Sequence, residues 1–127
     1  MSLPILSIRR PWPWGLVLVS DALSRDPLPT SMGAEAVVSA GTALAARVLH
    51  EVDGDALVEV TLGDPGPTDL HKVFEGPLLV ASGQVVIGDA GGERTETIKV
   101  QPGPYLVRIF VDDRDQPSRL VVALWHA

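Results

Sequence analysis

The closing stretch of the chain constrains the fold most. Pro102-Gly103-Pro104 makes a tight corner, Tyr105 to Val111 alternates regularly, and Asp112-Asp113-Arg114-Asp115-Gln116 is a polar break. A second apolar run, Arg119 to Trp125, follows. A period of two places Tyr105, Val107, Ile109 and Val111 on one face, and Leu106, Arg108 and Phe110 on the other. Val121, Ala123 and Trp125 oppose Leu120, Val122 and Leu124 in the same way. With both faces largely apolar, the pair reads as a hairpin of central strands covered on both sides, with Trp125 in the core.

The rest of the chain agrees. Ile5–Ile8, Leu16–Val19, Glu35–Ser39, Leu57–Leu62, Leu78–Val80, Gln84–Ile87 and Glu96–Val100 read as short strands. Pro11-Trp12-Pro13-Trp14 suits an edge or a loop, because proline removes amide donors. Asp26 to Thr30 is a proline-punctuated loop. Asp53-Gly54 predicts a hairpin turn joining a strand within Thr42–Val52 to Leu57–Leu62. Thr68 to Glu75 predicts one or two helical turns, capped by Thr68 and stopped by Gly76-Pro77. The expected fold is mainly β. It is an antiparallel β-sandwich or jelly-roll-like fold of roughly seven to nine strands, with at most one short helix. Residues 1–127 are expected to form one domain.

Composition narrows the function. The chain has no Cys, which removes disulfides, thiolate metal sites and a cysteine nucleophile. The net charge of −6 argues against nucleic acid, whose phosphates need Lys and Arg. No apolar run reaches the ~20 residues that span a bilayer, so no membrane partner is expected. The basic start and cleavage site of a secretory signal are missing, so a soluble cytoplasmic protein is expected.

The catalytic inventory is thin. His50, His71 and His126 lie far apart in sequence and show no metal-binding spacing. Ser39 and Ser82 lack a nucleophile-elbow motif, and Gly88 to Gly92 lacks the Lys of a phosphate loop. Asp112, Asp113 and Asp115 alternate loosely like a calcium loop, without its central Gly and terminal Glu. No catalytic residue, metal or cofactor is assigned, and the sequence favours a non-enzyme. The candidate binding residues are instead Asp112, Asp113 and Asp115, as an acidic patch facing a basic protein partner. Trp12 and Trp14 join them as interaction anchors. Arg108 is the sole polar interruption of its strand.

Leu6 to Trp14 resembles the opening of ASCH domains, but the Gly-x-Lys-x-x-Glu signature that should follow is replaced by Ser20-Asp21-Ala22-Leu23-Ser24. A longer resemblance starts at Gly76-Pro77-Leu78, passes Ser82-Gly83, and continues through Val100-Gln101-Pro102-Gly103-Pro104-Tyr105-Leu106-Val107-Arg108. It ends on Leu120 to Trp125. These residues resemble a group of uncharacterised small bacterial β-sandwich proteins and, more remotely, the competence protein J family, which includes a nuclease inhibitor. The resemblance implies a β-sandwich and carries over no residue roles.

Three functions remain open on this reading. The first is a binding protein, in its sharpest form an inhibitor or immunity protein acting on a toxin or nuclease. The second is a small-molecule-binding or enzymatic β-barrel whose site gathers His50, His71, Arg47 and Arg108. The third is a structural or oligomer-forming module that uses sheet edges and the Trp12/Trp14 pair.

Overall fold

The computed structural model describes residues 3–27 and 32–127. The elements in chain order are β1 (Leu6–Arg10), β2 (Leu16–Asp21), β3 (Val37–Ser39), β4 (Ala43–Arg47) and β5 (Ala56–Leu62). They continue with β6 (His71–Val80), β7 (Gln84–Asp89), β8 (Thr95–Lys99), β9 (Gly103–Val111) and β10 (Arg119–His126). Two single turns of 3-10 helix, Pro13–Gly15 and Glu51–Asp53, are the only helical elements among the described residues. The strands form two five-stranded sheets, ordered β1-β5-β10-β9-β6 and β3-β4-β2-β7-β8. This is the expected β-sandwich, with ten strands. Every pairing is antiparallel except β5 with β10, where Leu57 stands opposite Arg119 and Leu62 opposite Leu124 in parallel register.

Alternation builds the interior. Val58 and Val60 of β5, Val107 and Ile109 of β9, and Leu120, Val122 and Leu124 of β10 point inward from the first sheet. Val17, Val19, Leu44, Val85 and Ile87 meet them from the second. All are essentially excluded from water. Each such side chain contributes about 1.5–3 kcal/mol relative to exposure, and together they fill the space between the sheets.

Each outer face carries one smaller apolar cluster covered by loop residues, which accounts for part of the two-faced terminal hairpin. Phe110, Val121 and Ala123 form a second apolar cluster beneath the segment that leads to Leu70. Gly66 makes that lid fit: it has φ +110°, and a Cβ there would meet Phe110 Cε1 at 2.1 Å. Leu16, Met32 and Ala45 form the matching cluster outside the other sheet. The loop expected at Asp26 to Thr30 falls partly outside the described residues.

Four local expectations are corrected. First, Trp125 is 42% exposed rather than core, because it lies beyond the outer cluster that buries its same-face neighbours Val121 and Ala123. Second, β4 and β5 do not form a hairpin. The chain crosses from one sheet to the other through the Glu51–Asp53 turn, and β5 pairs with β1 and β10 instead. Third, the expected helical turns after Thr68 are replaced by the start of β6, whose pairing with β9 from His71 to Val80 overrides local propensity. Fourth, Pro77 does not end an element. It sits within β6, an edge strand with a partner on one side only, where a missing amide hydrogen costs little.

Candidate functional site

The chain reversals at one end of the sandwich bring together segments remote in sequence. β1 ends there at Arg10, opposite Ala56 at the start of β5. β2 begins there at Leu16, opposite Arg47 at the end of β4. The Leu49 amide donates to Pro117 O (2.8 Å) and the Leu57 amide to Ser118 O (2.8 Å). The β9–β10 loop is thereby tied to the β4–β5 crossing and to β5.

Pro11-Trp12-Pro13-Trp14-Gly15 links the sheets at this end, and its two tryptophans have opposite fates. Trp12 is fully buried. Its indole N–H donates to Ala56 O (3.0 Å), and the Arg10 guanidinium lies 4.2 Å from its ring centroid. Trp12 therefore has no surface to offer a partner, which corrects its place among the candidate anchors. Trp14 is 62% exposed. An extended path would have aimed both rings to one side. The chain instead turns at Pro13, and Trp14 takes the left-handed conformation, φ 58° and ψ 11°. It is the only non-glycine residue with positive φ among those described. Such a conformation costs of the order of 1–2 kcal/mol in an L-residue with a large side chain. Gly15 follows at φ +63°, where a Cβ would meet Val48 O at 2.7 Å. The Gly15 carbonyl accepts from the Val48 amide (2.9 Å), fixing the turn against β4.

Trp14 stands over an open recess of about 240 Å³, lined also by Arg47, His50, Asp53, Asp115 and Gln116. Val52, 79% exposed, sits in the adjoining turn. Arg47 donates to Gly33 O, which fixes its guanidinium beside the recess. The His50 imidazole Nδ1 accepts from the Val52 amide (3.2 Å), capping that turn.

The acidic loop divides its labour. Asp112 accepts from the Ser118 amide (3.0 Å), the Ser118 hydroxyl (2.6 Å) and the Arg119 amide (3.1 Å). Burial raises its pKa, but those three donors outweigh burial and hold it below the ordinary aspartate value. Asp113 accepts from the amides of Asp115 (2.8 Å) and Gln116 (3.0 Å). These bonds, Gln116 first, also lower its pKa. Both carboxylates thus shape the hairpin. Asp115 is the one of the three that reaches the recess beside Trp14.

Arg108 lies elsewhere. On the outer face of the first sheet its Nε donates to Glu75 Oε1 (2.6 Å) and its Nη1 to Pro65 O (3.4 Å). It clasps β6 and the β5–β6 loop together. Arg108 and Lys72, in that order, lower the Glu75 pKa. Of the set His50, His71, Arg47 and Arg108, His50 and Arg47 line the recess beside Trp14, and Arg108 does not. Among the described residues, no group of three or more His, Asp or Glu is placed to hold a metal ion. No helix among the described residues is long and apolar enough to cross a membrane.

The sequence offered Trp14 and Asp115 as binding candidates, and His50 with Arg47 only in the alternative pocket reading. Asp53 and Val52, which the same segment as His50 delivers, it did not mark as site residues. The Pro13-Trp14-Gly15 tripeptide was the available signal for a tight turn that swings one ring outward.

No protein-family model matches the sequence, and no curated protein matches it. Two solved structures share the fold. The protein of crocagin biosynthetic gene J superposes with a TM-score of 0.58 at 16% identity, over 95% of this chain and 94% of its own. ComJ from Bacillus subtilis, an inhibitor of the DNA-degrading activity of NucA, superposes with a TM-score of 0.77 at 11% identity, over 100% of this chain and 99% of its own. The β-sandwich of this chain is thus remotely similar, from end to end, to that of the ComJ inhibitor.

Proposed function

We propose that this protein is a non-enzymatic inhibitor or immunity-type protein that occupies a basic cleft on a nuclease or toxin. The observation that carries the reading is the exposed, conformationally strained Trp14 held beside Asp53 and Asp115. A large aromatic on a rigid turn loses little entropy on docking, and aromatic anchors of this kind dominate interface energetics. The neighbouring carboxylates, with Glu51 and Asp55 close in sequence, offer negative charge where a nuclease expects phosphate. A net charge of −6 speeds encounter with a basic partner and repels nucleic acid. The end-to-end fold likeness to ComJ supports the inhibitor reading over a passive module.

The test is inhibition. DNA degradation by a lysate of the native cells is measured with and without added protein. Suppression that is saturable, and that weakens when Trp14→Ala or Asp115→Lys is used, supports the reading. Unchanged degradation across all three proteins would falsify it.

A further inference from the structure

A second concavity lies away from Trp14, on the outer face of the first sheet, and the inhibitor reading makes no use of it. It holds about 540 Å³, within the ~300–1,000 Å³ of small-ligand pockets. Its floor is Val121 of β10 with Glu59 and Thr61 of β5; its wall is the β5–β6 loop, with Asp64, Pro67 and Asp69. The wall is built rather than draped. Gly66 rests against the Phe110 ring, Arg108 holds the Pro65 carbonyl, and Asp64 Oδ1 accepts from the Gly66 amide (2.8 Å).

Two features of the lining define its chemistry. The first is charge. Three carboxylates, Glu59, Asp64 and Asp69, face one guanidinium, Arg119, and Arg119 Nε already donates to Glu59 Oε1 (2.7 Å). Arg119 thus answers Glu59, and the Asp69 carboxylate on the wall adds negative charge to the lining. The second is an unmet hydrogen-bonding group. Thr61 is 9% exposed, and its hydroxyl oxygen is buried with no partner. A buried hydroxyl left unpaired costs about 1–3 kcal/mol, and such groups in a concave site mark missing partners. Leu3, Pro4 and Val121 supply apolar surface beside these polar groups.

We propose that this pocket binds an organic cation, an ammonium or guanidinium on a short apolar stem. Asp69 and Glu59 meet the charge, Thr61 Oγ1 accepts one N–H, and Val121 with the Leu3–Pro4 segment packs on the stem. The cation comes either from a free amine or from a Lys or Arg side chain of a polypeptide.

Titration followed by amide NMR tests the assignment, with agmatine as the free probe, a capped Gly-Arg-Gly peptide as the polypeptide probe, and glutarate as the anionic counterpart. Agmatine or the peptide should shift the amides of Glu59, Thr61, Asp69 and Val121 and saturate in roughly the millimolar range or tighter. Glutarate should not. The tighter of the two cationic probes identifies the source. Asp69→Asn should weaken binding about threefold to tenfold, in line with a charge-assisted contact. Thr61→Val should weaken it as well, while melting of the free protein stays level or rises. Trp14→Ala should leave probe binding intact, so failure of the inhibitor reading and failure of this one are separable. The proposal is overturned by scattered shifts, by equal response to glutarate, or by affinity unchanged in both Asp69→Asn and Thr61→Val.

Discussion

Trp12 and Trp14 stand on either side of Pro13 and share almost nothing in environment. Trp12 has its indole N–H satisfied by a strand carbonyl, a guanidinium over its ring and no exposure to water. Trp14 has a disfavoured backbone, most of its ring in solvent and a recess of polar groups below it. One ring closes the end of the core; the other is held out on the left-handed turn that carries the chain from β1 to β2. Backbone strain of this kind clusters at functional sites, which is why the proposed contact is placed at Trp14.

This contrast breaks most visibly at Trp12. Trp12→Ala leaves a cavity, strips the Ala56 carbonyl of its donor and removes the cation–π partner of Arg10. Destabilisation of about 3–5 kcal/mol is expected in chemical denaturation. A loss below about 1 kcal/mol would show that the ring is not core. The reciprocal change, Trp14→Ala, is expected to cost about 2 kcal/mol or more in affinity for the proposed nuclease or toxin partner, roughly thirtyfold in Kd. Its unfolding midpoint should hardly move. A sharper form is Trp14→Gly, which removes the ring and the penalty of positive φ together. It should be more stable than the parent by about 1 kcal/mol while inhibiting no better than Trp14→Ala. Equal stability of the parent, Ala and Gly proteins would mean that the left-handed turn stores no strain.

The same contrast explains what the sequence could and could not disclose. The β9–β10 hairpin was legible because alternation is a local property, and all four inward residues from Tyr105 to Val111 reached the core. The hairpin expected at Asp53-Gly54 failed because a turn signal does not say which sheet the next strand will join. The parallel partnership of β5 with β10 is set by long-range packing. Thr68 to Glu75 carried a plausible cap and helix-compatible residues, but the open edge of β9 claimed the segment from His71 onward. At the site, Trp14 and Asp115 were visible as residue types. Their convergence with Asp53 and His50 was not, since it depends on two crossings between the sheets. Nothing in the one-dimensional pattern marked Thr61, whose hydroxyl is left without a partner only by the way the tertiary structure buries it.

The smallest effect concerns acid, and it sets the hairpin beside the opposite end of β2. At that far end, Asp21 accepts from the Ser82 hydroxyl (2.6 Å), the Ser82 amide (3.0 Å) and the Leu23 amide (3.1 Å). Burial raises its pKa, and these donors more than offset it, as the Ser118 and Arg119 donors do for Asp112. In each case the folded protein holds the carboxylate below its ordinary pKa of about 3.9. The stability these groups contribute is therefore complete above that value and is lost as pH falls through the lower folded value. Melting temperature should stay level down to about pH 5 on this account and decline below about pH 4. Asp112→Asn should lower stability at neutral pH by less than about 1 kcal/mol, because the loop is solvated, and should flatten the acid decline. Asp21→Asn should flatten it more, since the residue at that end is itself buried. Followed by amide NMR, acid should release Ser118 and Arg119 at one end, and Ser82 and Leu23 at the other, before the core unfolds. If the Trp14 recess persists after Ser118 is released, the turn at Gly15 holds the ring without the loop. If both are lost together, the acidic hairpin is what keeps Trp14 in position, and the two halves of the site are one cooperative unit.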